Sequence, residues 1–177
     1  MIVQLIRHTS VAVDPGVCYG QSDVALRDTF EEEATVSRSR IEGQHFDRVF
    51  TSPLSRCTRL AAFCGYPDAR RDDRLKEINF GRWELQRFDD ITDRTLDEWY
   101  NDYLNVRPPE GESFYDQLHR VSAFLEELKQ TGRPDERVLI FAHGGVLICA
   151  QLFAGVVQPE HCVEALTPYG GMIEIEI

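Results

Sequence analysis

Four short segments carry side chains suited to holding and transferring a phosphoryl group. LIRHTS at 5–10 ends an apolar run on Arg7 and His8, and VFTSPLSRC at 49–57 carries Arg56. RLKEINFGRWE at 74–84 offers Glu77, and LIFAHGG at 139–145 ends on His143, Gly144 and Gly145. An imidazole whose second nitrogen is tied down can attack phosphorus and carry the group covalently. Arginine forks can hold nonbridging oxygens while charge spreads over them, and His143 can donate to the same oxygens. A monoester also needs a proton for its departing alkoxide. Glu77 is the candidate acid, with Gly81 allowing a tight turn and Phe80 and Trp83 placed to shield the carboxyl from water. Each residue alone means little; their joint presence makes the case.

These groups must be brought together by the elements that carry them. IVQLI at 2–6 and RVLIFA at 137–142 are continuously apolar, as parallel strands covered on both faces require, and FDRVF at 46–50 is a third such candidate. MIEIEI at the C-terminal end alternates Ile173, Ile175 and Ile177 with Glu174 and Glu176, the pattern of a strand with one wet face. Helices fall between. Ser52 as cap and Pro53 in the first turn predict a helix whose Leu54, Cys57, Ala61 and Cys64 share a face. Leu118, Val121, Leu125 and Leu128 mark another, over 114–130, ended by Gly132, and GGVLICAQLFAG at 144–155 reads as a buried one. The 82–107 segment is polar but studded with aromatics, and its weak helical period predicts a helical cap over the sheet. Strands separated by helices predict a three-layer α/β/α sandwich with a mostly parallel sheet. In such a sheet ligands sit beyond the carboxyl ends of the strands, where Arg7, His8, Arg56 and His143 fall. Gly144 and Gly145, opening a helix, would let backbone approach an anion closely.

The 177 residues suit a single domain spanning 1–177. A formal net charge of -11 argues against nucleic acid or an anionic membrane surface as partner, so any bound anion needs a local positive cluster. A small phosphorylated metabolite is the expected partner, with the chain itself a monomer or homodimer. No apolar stretch is long enough for a membrane span and no leader pattern opens the chain, which makes a cytoplasmic location the expectation. The five cysteines are odd in number and lack metal-ligand spacing, so they read as small buried hydrophobes.

With these motifs in order, the chain resembles the histidine phosphatase superfamily, the phosphoglycerate mutase-like fold. LIRHTS matches its RHG motif at Arg7 and His8, SPLSRC its second-arginine motif at Arg56, LKEINFG its acid-bearing segment at Glu77, and AHGG its second-histidine motif at His143. The resemblance implies a phosphorylated His8, oxygens held by Arg7, Arg56 and His143, and Glu77 acting as acid and then base. It also implies no cofactor and no metal. Within the superfamily, GVCYGQSDVAL, INFGRWE, FDDI and PPEGES resemble segments of the alpha-ribazole phosphatase group, which implies hydrolysis of alpha-ribazole 5′-phosphate in cobalamin biosynthesis. In that frame Gln21 is expected to contact phosphate and Tyr19 to face a ring, while Ser113 caps the 114–130 helix or helps fix the phosphate. The alternatives are a broad sugar-phosphate or nucleotide phosphatase, a phosphoglycerate mutase, or a noncatalytic phosphate binder. Two departures stand out: Thr9 replaces the glycine of RHG, and Leu85 stands where a glycine often follows WE.

Overall fold

The computed structural model describes residues 1–177. Its sheet has five strands, β1 (Ile2–Arg7), β2 (Arg48–Thr51), β3 (Arg70–Arg71), β4 (Arg137–Ala142) and β5 (Met172–Glu176), in the order β3-β2-β4-β1-β5. All pairings are parallel except that of β5, which runs antiparallel along β1. The helices are α1 (Phe30–Ser39), α2 (Ser55–Phe63), α3 (Thr95–Asn101), α4 (Phe114–Thr131) and α5 (Gly144–Phe153). None is long and apolar enough to cross a membrane.

The continuously apolar strands are covered on both faces, because successive side chains point opposite ways. Val3, Leu5, Val138, Ile140 and Ala142 pack with α4 and α5 in the larger core. Ile6, Leu139 and Phe141 point the other way, onto residues of α1 and α2. This two-sided burial makes the three layers and sets β1 and β4 side by side, with Arg7 in register with Ala142. His8 and His143 therefore emerge from adjacent strand ends.

Several expectations change in detail. Ser52 does not cap α2: the helix begins at Ser55, and Asp23 from the preceding loop accepts from the Ser55 amide and hydroxyl at 2.9 and 2.7 Å. A residue distant in sequence does the work of a local cap. Ser113 does cap α4, in a reciprocal capping box with Asp116, and Gly132 ends that helix. Helix α1 escapes sequence reading because its acidic first turn, Glu31 to Glu33, hides a narrow face on which only Ala34 and Ser37 are buried.

The 82–107 segment is helical only in part. It holds two single turns at Gly81–Trp83 and Phe88–Asp90 and one short helix, α3. What orders it is its own small core, Cys18, Trp83 and Leu96 with Phe80, Phe88, Ile91 and Trp99 packed against them. Aromatic edge-to-face packing serves irregular backbone as well as helix, so the spacing carried no strong period.

Candidate active site

Beyond the carboxyl ends of β1, β2 and β4, Arg7, His8, Arg56 and His143 come together. His8 is buried, and its Nδ1 lies 2.7 Å from the carbonyl of Thr9. A carbonyl only accepts, so Nδ1 carries the proton and Nε2 keeps its lone pair. Burial, then the Arg56 charge, hold the ring's pKa down to about 3, with Arg7 adding to the shift. At neutral pH His8 is thus an uncharged imidazole with its nucleophilic nitrogen available. Since the backbone carbonyl of residue 9 does the positioning, threonine serves in place of the glycine of RHG; the Thr9 side chain is fully buried and its hydroxyl has no partner.

Arg56 is fully buried, yet its partners are neutral: the carbonyls of Gly20 and Ser22, and His143 Nδ1 at 3.3 Å. Arg7 donates to the carbonyl of Thr167 at 2.6 Å and lies 4.0 Å from the ring centre of Tyr169, while its Nε is buried without a partner. Neither guanidinium is paired with a carboxylate. A fully buried cation beside a half-buried one, neither with a counter-charge, is costly in isolation, and an anion between them offsets that cost.

His143 is fully buried 5.1 Å from His8, ring centre to ring centre, and its pKa is driven well below the usual range by burial and then by the Arg56 charge. Its Nε2 lies 2.7 Å from Ser52 Oγ. Ser52 thus props the second histidine from the end of β2, a role the cap reading had hidden. With Nδ1 accepting from Arg56, Nε2 donates to the serine.

Glu77 faces the same cavity from the other side. Its Oε1 accepts from the Ile78 amide at 3.0 Å and from Gln117 Nε2 at 2.8 Å, and its Oε2 from the Gly145 amide at 3.2 Å. Arg120 braces the segment from below, donating to the carbonyls of Arg74, Lys76 and Glu77. Phe80 lines the cavity beside Glu77, whereas Trp83 is sealed in the cap's core and gives no direct shield.

Gln21 does not line the cavity: its Nε2 donates to the Glu77 carbonyl at 3.1 Å, so it steadies the acid-bearing segment. Glu84 holds the same loop, accepting from the amides of Gly20, Gln21, Ser22 and Phe80. A Cβ at Gly144 would press on Leu166 and, at 3.3 Å, on the Arg7 guanidinium; one at Gly145 would run into the Glu77 carboxyl and the Gln117 amide. The two glycines make room for this chain's own catalytic candidates, and Gly145 is the one that lines the cavity.

The cavity itself measures about 380 Å³. Arg7, His8 and Glu77 line its polar end, and Ile78, Phe80, Trp99, Tyr103, Phe114 and Ile148 are among the residues of its apolar wall. Tyr19 closes one side, 5.6 Å from Arg56, and its hydroxyl meets that of Tyr169 at 2.7 Å. All five cysteines are free and buried, and only Cys162 reaches the cavity. Sequence reading missed Ser52, Glu84, Gln117, Arg120 and Tyr169 as parts of this site. Gln117 alone had a visible signal, a polar residue on the stripe of α4 that buries Phe114, Val121, Leu125 and Leu128.

A mostly parallel sheet with two arginines and two neutral histidines at its strand ends describes a phosphoryl-handling α/β enzyme. Family comparison makes this specific: residues 3–165 match the model of the histidine phosphatase superfamily (branch 1), and the chain belongs to that superfamily. The chain is similar to the alpha-ribazole phosphatase of Shigella flexneri, with 25% identity and a TM-score of 0.88 over 100% of this chain and 91% of that one. It is also similar to the phosphoglycerate mutase of Thermus thermophilus, with 27% identity and a TM-score of 0.76 over 98% and 92%. Among curated proteins, a probable phosphoglycerate mutase, GpmB, of Escherichia coli O1:K1 / APEC is 33% identical over 141 residues, 73% of this chain. The chain spans 63% of that relative's length.

Proposed function

We propose that the protein is a phosphomonoesterase working through a phosphohistidine at His8, with alpha-ribazole 5′-phosphate as its preferred substrate. The observation that carries the reaction is a buried Arg56 and a half-buried Arg7, both without carboxylate partners, set around a neutral histidine whose Nε2 is free.

His8 Nε2 attacks phosphorus in line and the bond to the ester oxygen breaks. Glu77 passes its proton to that oxygen while Arg7 and Arg56 hold the equatorial oxygens. Water then attacks the phosphohistidine, Glu77 accepts a proton from it, and the electron pair of the P–N bond returns to Nε2. His143 joins if its ring proton moves to Nδ1, with the Ser52 hydroxyl turned to donate to Nε2; this puts a donor beside Arg56, where phosphate oxygens would lie.

The substrate name rests on the apolar wall and on the likeness to the Shigella enzyme. A ribose carrying a flat, uncharged benzimidazole matches a cavity walled by Phe80, Trp99 and Tyr103. No cation stands among the aromatic and apolar residues of the wall, so the extra carboxylate of phosphoglycerate would meet no counter-charge there.

The test is a steady-state panel in EDTA of alpha-ribazole 5′-phosphate, 3-phosphoglycerate, nucleotides and sugar phosphates, with His8→Ala as blank. A preference of about 100-fold in kcat/KM, roughly 2.7 kcal/mol of transition-state recognition, is expected for the ribazole ester. A flat profile would leave a broad phosphatase and remove the substrate name. Activity retained in His8→Ala would remove the nucleophile.

A further inference from the structure

Gln117 is fully buried on α4, among apolar side chains, and lines the cavity. A buried amide is stabilising only when its donors and acceptors are met. Here only one half is met: Nε2 donates to Glu77 Oε1 at 2.8 Å, and Gln117 Oε1 has no partner. The orientation is settled by chemistry, because a carboxylate oxygen accepts and an amide carbonyl turned toward it would set two acceptors face to face. Gly145 makes the arrangement possible, since a Cβ there would lie 2.7 and 2.9 Å from the amide oxygen and nitrogen.

The consequence lies in the lone pairs of Glu77. A carboxylate oxygen offers two acceptor positions. On Oε1 both are occupied, one by the Ile78 amide at 3.0 Å and one by Gln117. Oε2 receives only the Gly145 amide, at 3.2 Å, and keeps one position open.

We propose that Gln117 is a positioning residue that assigns the transferable proton to Oε2 of Glu77. By filling the second site on Oε1, its amide leaves Oε2 as the oxygen that gives a proton to the leaving group and takes one from water. Without Gln117 the carboxyl loses its one side-chain hydrogen bond and is free to turn, so that neither oxygen holds the proton in the geometry that transfer needs. The proposal rests on Glu77 being the acid of the proposed reaction and goes beyond it by naming the oxygen and the residue that selects it.

The experiment measures kcat/KM of the full chain on a series of phosphate monoesters, from p-nitrophenyl phosphate to alkyl phosphates, for wild type, Gln117→Met, Glu77→Gln and the double variant. Poor leaving groups need the acid most. Gln117→Met should therefore lose about 100-fold on alkyl phosphates and less than about threefold on p-nitrophenyl phosphate, the low end of general-acid contributions. Adding Gln117→Met to Glu77→Gln should cost less than about twofold more, since a residue acting only through Glu77 has nothing left to position. Gln117→Asn, which keeps a buried amide but shortens its reach, should steepen the leaving-group dependence in the same way and covers the case in which Gln117→Met does not fold. An equal loss on every ester, or additive losses in the double variant, would overturn the positioning role. If Glu77→Gln itself leaves the leaving-group dependence unchanged, the acid assignment falls and this inference falls with it. A steep Glu77→Gln profile beside an unchanged Gln117 profile overturns the inference alone.

Discussion

The floor of the site and its cap are built on opposite terms. Arg7, His8, Arg56 and His143 sit at or just beyond strand ends, and backbone carbonyls or single hydroxyls hold them: Thr9 for His8, Gly20 and Ser22 for Arg56, Ser52 for His143, Thr167 for Arg7. The cap has short turns, one helix of 7 residues and a cluster of aromatic rings in edge or stacked contact. The floor tolerates little displacement because charges in a dry pocket interact strongly over ångströms. The cap can vary in side-chain identity because apolar contact is nondirectional. On the proposed function, the reaction falls to the floor and the choice of leaving group to the cap.

The sharpest way to break that division is in the floor. Arg56→Lys keeps the charge but loses the planar fork that reaches two carbonyls and the phosphoryl site together. Loss of kcat/KM by about 100- to 1,000-fold is expected for every ester, the cost typical of removing one transition-state donor. Kinetics on both p-nitrophenyl phosphate and glycerol phosphate, with circular dichroism to confirm folding, would check it. A loss confined to one ester would place Arg56 in substrate choice and blur the comparison.

A smaller effect is expected in the cap. Trp99 contacts Phe80, Trp83, Phe88, Tyr100 and Tyr103 and lines the cavity. Trp99→Ala should lower kcat/KM for alpha-ribazole 5′-phosphate by about 2- to 12-fold, the worth of one aromatic contact, and leave glycerol phosphate nearly unchanged. Equal loss on both esters would mean that the cap supports the floor mechanically.

The smallest effect concerns backbone. Leu85 has a φ of 64°, is exposed, and donates its amide to the Cys18 carbonyl at 2.7 Å. A left-handed conformation costs a branched residue about 1–2 kcal/mol, partly offset by the extra freedom that glycine would bring to the unfolded chain. Leu85→Gly is expected to raise stability by up to about 1 kcal/mol and to leave turnover unchanged. Urea unfolding reads the first and the ester panel the second; a stability loss would show that the Leu85 side chain, not its backbone, earns its place.

Much of the floor was legible because it depends on strand ends, and continuous apolar runs mark strands that are buried on both faces. IVQLI and RVLIFA located β1 and β4 to within a residue, and so located His8 and His143. The helix after β2 was displaced because Asp23, 32 residues before Ser55, supplies the cap. The roles expected of Gln21 and Gly144 looked outward to a ligand, while in the folded chain Gln21 reaches the Glu77 carbonyl and Gly144 makes room for Arg7. The cap was least legible, since its order comes from rings meeting across turns without a repeating period.

By itself, then, the amino-acid sequence determined the layers, the strand ends and the residue types delivered to them, all of which follow from local periodicity and the two-sided burial of short apolar runs. Only the tertiary structure decided which nitrogen of His8 is free, which charges stand without a counter-ion, and that Gln117 faces Glu77. The first turns on the way the ring folds back onto the neighbouring Thr9 carbonyl, and the other two on contacts between segments 34 to 160 residues apart, where the direction of one side chain is set by packing that no local pattern records.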